Sequence, residues 1–173
     1  AVGALVGGAD EAPAPWADRA GRADAAALEA GFRALFDPTG VVVAGASTHP
    51  GKFGFVTLHN LLAAGYEGTV AATNRDRAEV LGIQTVADVS EIPDGSADLL
   101  VCCTPAAANP AIIEAAAAKG VKAVFVTSAG YGEADEAGRQ AQDALVAQTR
   151  SLGLLLAGPN GQGVVSPPSK LCA

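Results

Sequence analysis

Short apolar runs recur along this chain, and between them lie longer stretches whose apolar residues repeat at helical spacing. The first amphipathic stretch predicts a helix over residues 23–36, with Leu28, Phe32, Leu35 and Phe36 along one side. Asp37-Pro38-Thr39-Gly40 stops it, because proline cannot continue the helix and glycine permits the turn. An unbroken apolar run at 41–44 reads as a strand buried on both faces, and 53–64 as a helix closed by Gly65. Residues 69–73 read as a second strand and 83–85 as a third, followed by a helical turn near 87–90. The run DLLVCC at 98–103 is the strongest buried strand. Residues 109–119 follow as a helix, with Pro110 in its tolerant first turn and Gly120 past its end. Strand 121–127, helix 135–151 and strand 154–157 complete the pattern. Strands alternating with helices across short glycine-rich turns imply an α/β fold, Rossmann-like, with a mostly parallel sheet and helices on both faces.

Length and composition add few constraints beyond that. The 173 residues, half of them hydrophobic, suit one domain, expected to occupy residues 21–166. Residues 1–20, with Pro13 and Pro15, read as a flexible arm or linker, and 167–173 as the start of a linker to a further domain. The net charge of -7 argues against a nucleic-acid-binding surface. No stretch approaches the roughly 20 apolar residues of a membrane helix, so no membrane partner is expected. The opening AVGALVGG lacks a basic flank and a cleavage site, which argues against a signal peptide. The missing initiator methionine reads as a trimmed or excised chain. Cys102, Cys103 and Cys172 lack metal-ligand spacing and read as reduced thiols of a cytoplasmic protein.

A parallel sheet of this kind binds ligands beyond the carboxyl ends of its strands, where the strand order reverses. Four turns therefore become candidates. The first runs from Gly45 to Gly54, where glycines admit a ligand close to the backbone and a helix N-terminus follows. Ser47, Thr48 and Lys52 add donors suited to phosphate, while Phe53 stands where a Walker P-loop would have Ser or Thr. An ordinary glycine-rich turn without a ligand is the alternative. The second turn offers Asn74 and Arg75 where an NAD-binding domain would carry an acid, so a phosphorylated ribose fits better. A solvated surface arginine reads equally well there. Thr104 with Pro105, and Ser128-Ala129-Gly130, form the third and fourth turns, whose small residues suit a ligand or merely a tight bend.

Taken together, the stretches LFDPTGVVVAGAS, PGKFG with NLLAAGYEGTV, ATNRD, DLLVCCTPAA, KGVKAVFVTSAGYGE and GLLLAGPNGQGVV resemble one family. It is the coenzyme A-binding domain of the NDP-forming acyl-CoA ligases, such as the ADP-forming acetyl-CoA synthetases and the succinyl-CoA synthetase alpha subunit. The resemblance covers about residues 34–166, in order and spacing. It implies that Gly45, Ser47, Lys52, Phe53 and Gly54 cradle coenzyme A phosphates, with Asn74 and Arg75 near the adenosine end. It places Thr104 and Pro105 near adenine or pantetheine, and Ser128, Ala129 and Gly130 along the pantetheine arm. Gly158-Pro159-Asn160 matches the family's closing motif, near the boundary with the next domain. The family commonly reads Asn-Pro-Lys where this chain has Asn74-Arg75-Asp76, and Cys where it has Gly161. The first departure leaves the 3′-phosphate contact open.

The resemblance implies coenzyme A or acyl-CoA as ligand, with ligase and ATP-grasp domains as partners. ATP or ADP with magnesium would act in those domains, and a histidine outside this stretch would carry the phosphoryl group. Neither His49 nor His59 matches that histidine. No catalytic or metal-binding constellation stands out, and Glu133, Asp135 and Glu136 read as acids stabilising a helix start. A free-standing coenzyme A-binding protein and an NADP-dependent oxidoreductase domain remain as alternatives. The latter lacks the G-x-G-x-x-G fingerprint.

Overall fold

The computed structural model of the chain describes residues 25–173. The expected arm at 1–20 and the expected helix start at 23 lie outside the described residues. Five parallel strands form the central sheet: β1 (Gly40–Ala44), β2 (Thr69–Thr73), β5 (Leu99–Cys102), β6 (Ala123–Val126) and β7 (Leu155–Ala157). Their order is β2-β1-β5-β6-β7, so the sheet grows outward in two directions from β1 and reverses between β1 and β5. The central register sets Val41 beside both Val70 and Leu99.

Each strand alternates its side chains between two cores. Val41, Val43, Leu99 and Val101 face α1 (Ala25–Phe36) and α2 (Phe53–Ala63). Val42, Ala44, Leu100 and Cys102 face α3 (Asn109–Ala118) and α4 (Glu136–Ser151). Burial on both faces explains why these strands read as continuous apolar runs. The Rossmann-like architecture expected from the pattern is the one observed. None of the helices among the described residues is long and apolar enough to cross a membrane.

Three local readings change. The expected third strand at 83–85 is not part of the main sheet: β4 (Ile83–Gln84) pairs antiparallel with β3 (Glu79–Val80). Leu81 and Gly82 both have positive φ, as a two-residue hairpin turn requires; Val80 and Ile83 pack on the core, and Val86 bridges to Thr73 of the main sheet. The apolar stripe of α1 is mostly outside the core. Gly31, Ala34 and Leu35 are buried, whereas Leu28, Phe32 and Phe36 remain 43–48% exposed. A β-carbon at Gly31 would lie 2.6 Å from that of Leu155, so this glycine selects the face on which α1 meets β7.

The last residues, expected as a linker, fold back on the domain. β8 (Val165–Ser166) pairs antiparallel with β9 (Leu171–Cys172), and Leu171 is 1% exposed within the core beneath α2. Lys170 ion-pairs with Glu67, and Ser169 Oγ donates to the Phe36 carbonyl, at 2.7 Å. Burial of Leu171 and Ala173 provides the driving force, although the preceding Pro167 and Pro168 read as linker.

Candidate functional site

Because the five strands are parallel, their carboxyl ends share one edge, and all four candidate turns lie along it. The switch point is where Gly45 leaves β1 beside the turn that leaves β5. Gly45 has φ +85°, and a β-carbon there would lie 2.8 Å from Thr104 Cγ2. Gly54 is more tightly enclosed still: its β-carbon would come within 2.0 Å of the Gly45 carbonyl oxygen. Glycine at both positions lets the first turn of α2 press against the end of β1. The amides of Phe53 and Gly54 find no acceptor among the described residues, and Lys52 at the N-cap offers no side-chain bond. Unpaired donors at a helix N-terminus form a ready anion site.

The loop between is internally braced. His49 N–H donates to Ser47 Oγ (3.0 Å), and Gly51 N–H donates to His49 Nδ1 (3.0 Å). The His49 ring therefore has its acceptor nitrogen turned inward. Lys52 and Phe53 are exposed, Phe53 to 49%. His59 is exposed on α2 and stacks with Phe55, away from this loop.

At the neighbouring strand, β2, Asn74 works within the scaffold. Its Nδ2 donates to the Ala46 carbonyl (2.9 Å), and its Oδ1 accepts from the Asp76 amide (2.9 Å). Thr73, which sequence reasoning passed over, accepts from Gly45 N–H through its hydroxyl and from Ala46 N–H through its carbonyl. Arg75 is exposed, with Asp76 beside it; Arg77 ion-pairs with Glu91 at 2.8 Å. Neither Lys52 nor Arg75 enters an ion pair among the described residues.

On the other side of the switch point the turns after β5 and β6 are joined. Thr104 Oγ1 donates to Asn109 Oδ1 (2.7 Å), and Asn109 Nδ2 donates to Ser128 Oγ (3.1 Å) and Tyr131 OH (2.8 Å). Asn109 and Tyr131 are buried, and nothing in the sequence singled them out beyond an Asn before a helix-starting proline. Pro105 and Ala129 are exposed, and Gly130 turns outward with φ +96°. The rim continues to β7, where Asn160 N–H donates to the Ser128 carbonyl (3.0 Å).

The acids before α4 divide their roles. Asp135 caps the helix through Gly138 N–H (2.8 Å), as expected. Glu133 instead turns back, accepting from Gly130 N–H (2.6 Å) and Tyr131 N–H (3.3 Å). The Gly130 amide holds its carboxyl below the usual carboxylate range. Burial pushes the thiol of Cys102 up, and that of Cys103 as well, so neither is an activated thiolate. Among the described residues no three His, Cys, Asp or Glu side chains are placed to hold a metal. A separate hollow of about 620 Å³ opens between α3 and α4, lined by Ala106, Pro110, Gly130, Tyr131 and Leu145 among others. It adjoins the rim at Ala106 and Gly130 but lies beside the switch point rather than at it.

Comparison with known proteins bears on what this rim is for. The profile of a family described as CoA binding domain matches residues 39–167. The alpha subunit of ADP-forming acetate–CoA ligase I from Pyrococcus furiosus is 40% identical over 146 residues, 82% of this chain and 31% of that subunit. A trans-feruloyl-CoA synthase from an unknown prokaryotic organism is 34% identical over 132 residues, 75% of this chain and 18% of that protein. Among solved structures, the dinucleotide-forming acetyl-coenzyme A synthetase 1 of Ca. Korarchaeum cryptofilum, in complex with phosphate and ADP, matches with a TM-score of 0.76. Its sequence identity is 31%, over 82% of this chain and 30% of that one. This chain thus spans about a third or less of the length of these relatives.

Proposed function

The chain belongs to the family of coenzyme A-binding domains, and from that premise we propose that its strand-end rim binds coenzyme A or acyl-CoA for an NDP-forming acyl-CoA ligase. The observation that carries this reading is the switch-point turn. Two amides unpaired among the described residues, Phe53 and Gly54, lie at a helix N-terminus beside Lys52, and the glycine packing sets that helix start against the end of β1.

The donor set suits the rest of coenzyme A. Arg75, in no ion pair among the described residues and at the outer edge of the rim, is a bidentate donor for a ribose phosphate. Asn74 acts behind the phosphate loop, holding Ala46 in place. Pro105, Ala129 and Gly130 offer an apolar and backbone surface for the pantetheine arm. When bound, coenzyme A supplies the thiol that becomes the thioester. The residues of this chain bind and orient it, and none of them is assigned to bond making.

The larger enzyme would join a carboxylic acid to coenzyme A at the expense of ATP, or run the reverse. Ligase and ATP-grasp regions would supply the phosphoryl-carrying histidine and the site for ATP or ADP with magnesium. One similar relative is named for acetate and another for ferulate. That difference supports acid selectivity residing outside this domain. The free cysteines are consistent with a reducing, cytoplasmic setting.

Calorimetric titration with coenzyme A, dephospho-coenzyme A and NADP in parallel tests the reading. Binding of coenzyme A at roughly micromolar strength is expected, weaker for the dephospho form. Binding of NADP alone would overturn it.

A further inference from the structure

The turns after β5 and β6 are joined by a hydrogen-bond network whose polarity is uniquely determined. Ser128 Oγ donates to the Thr104 carbonyl (2.5 Å), and Tyr131 OH donates to the Ala106 carbonyl (3.3 Å). A carbonyl oxygen only accepts, so both hydroxyl protons are committed. Toward Asn109 those two hydroxyls can therefore only accept, and the Asn109 amide must present both its N–H groups to them. Its oxygen is left for Thr104, whose hydroxyl donates to it at 2.7 Å. Each partner completes the next, and no buried polar side-chain atom among the described residues is left unpaired.

We propose that Asn109 is a positioning residue that sets the separation of the turns at 104–108 and 128–131 and directs the Thr104 and Ser128 hydroxyls inward. Asn109 lies on neither turn; it begins α3, 0% exposed, and reaches both from beneath. Its two donors and one acceptor span from Thr104 to Tyr131, so the turns move together or not at all. A consequence follows for ligand chemistry, and this part rests on the coenzyme A reading. Between these turns the ligand meets backbone, proline and alanine rather than hydroxyl donors, which suits the pantetheine arm and not a phosphate.

Asn109→Asp is the discriminating variant. It keeps the shape and the acceptor for Thr104 but offers lone pairs to two hydroxyls whose protons are already spent. Ile113→Val, a buried change on the same helix, serves as a control for destabilisation alone. Amide hydrogen exchange is read on both variants and the native chain, alongside titration with coenzyme A and adenosine 3′,5′-bisphosphate. Asn109→Asp is expected to speed exchange at both turns by about tenfold while leaving 45–54 unchanged, on the scale of one lost buried hydrogen bond. Coenzyme A affinity should fall roughly tenfold while the bisphosphate binds as before, a selective loss that Ile113→Val should not reproduce. Unchanged exchange at either turn would overturn the proposal, as would equal loosening by the control. Should Asn109→Asp fail to fold, Tyr131→Phe removes one link and keeps the ring, and is judged by the same exchange pattern. If the native chain ignores coenzyme A, the functional reading falls, and the exchange data still decide the role of Asn109.

Discussion

Gly54 and Gly45 are in contact across the start of α2, with room for hydrogen alone: a β-carbon on Gly54 would meet the Gly45 carbonyl oxygen at 2.0 Å. The contact is backbone on backbone, so no side-chain rotation relieves it. Gly54→Ala must push α2 off the strand end, at a cost of about 1–3 kcal/mol as for other overpacked sites. We expect a lower urea midpoint and loss of coenzyme A binding together. Native stability with intact binding would mean that the helix approaches less closely than described.

On the proposed coenzyme A reading, Lys52 and Arg75 serve two different phosphates, and their variants tell the two apart. Lys52→Ala should weaken coenzyme A and dephospho-coenzyme A alike, by about ten- to a hundredfold, since one charge-assisted bond is worth roughly 1.5–3 kcal/mol when well placed. Arg75→Ala should weaken coenzyme A and leave the dephospho form unaffected. Calorimetric titration of the two ligands against both variants reads this directly.

Glu133 makes the turn after β6 sensitive to acid. Its carboxylate accepts from the Gly130 and Tyr131 amides, and the Gly130 bond holds its folded pKa below the ordinary value. A depressed pKa means that the stabilisation is present above the unfolded pKa and is lost as pH falls through the folded one. Glu133→Gln should therefore be less stable than the native chain at neutral pH. The gap should close as pH falls below the ordinary glutamate range, measured as denaturation midpoints for both proteins from neutral to acid pH.

The alkaline limb belongs to tyrosine. Burial, with Asp98 and Asp37 nearby, raises Tyr66 from 10.0 to about 12, and its hydroxyl donates to the Pro38 carbonyl at 2.7 Å. Burial also raises Tyr131, and these are the two tyrosines of the chain. Stability from Tyr66 is complete below pH 10 and declines as pH climbs toward 12, because the unfolded phenol ionises first. Tyrosinate absorbance should therefore stay low at pH 10 in the folded protein and appear there in denaturant. Half-titration of the folded protein at pH 10 would contradict this.

Leu171 tests the folded-back end. Leu171→Ala should cost about 2–4 kcal/mol, the usual range for a buried leucine truncation, with a lower thermal midpoint. A change within error would return residues 167–173 to the linker role their prolines suggest.

The strands were legible because each lies between two helical layers and so carries apolar residues on both faces. The run from Leu99 to Cys102 and the run from Val41 to Ala44 needed no tertiary information to be found. The strand at Ile83–Gln84 was read, but its partner Glu79–Val80 and their antiparallel pairing were not, since two-residue strands carry no period. Glu133 was misread for a different reason. An acid near a helix start suits the dipole, and only the backbone path from Gly130 shows which amides it reaches.

Local spacing by itself determined the succession of the helices and main-sheet strands, and with it the edge of the sheet on which Gly45, Asn74, Thr104 and Ser128 fall, because parallel strands all end on one side. Strand order, the inward aim of Asn109 and the burial of Leu171 were decided only by the tertiary structure. These depend on contacts between residues far apart in the chain, such as Gly45 with Thr104 or Asn109 with Tyr131. A hydrogen bond closed by tertiary packing leaves no period along the sequence, so its partners become visible only once the fold has brought them together.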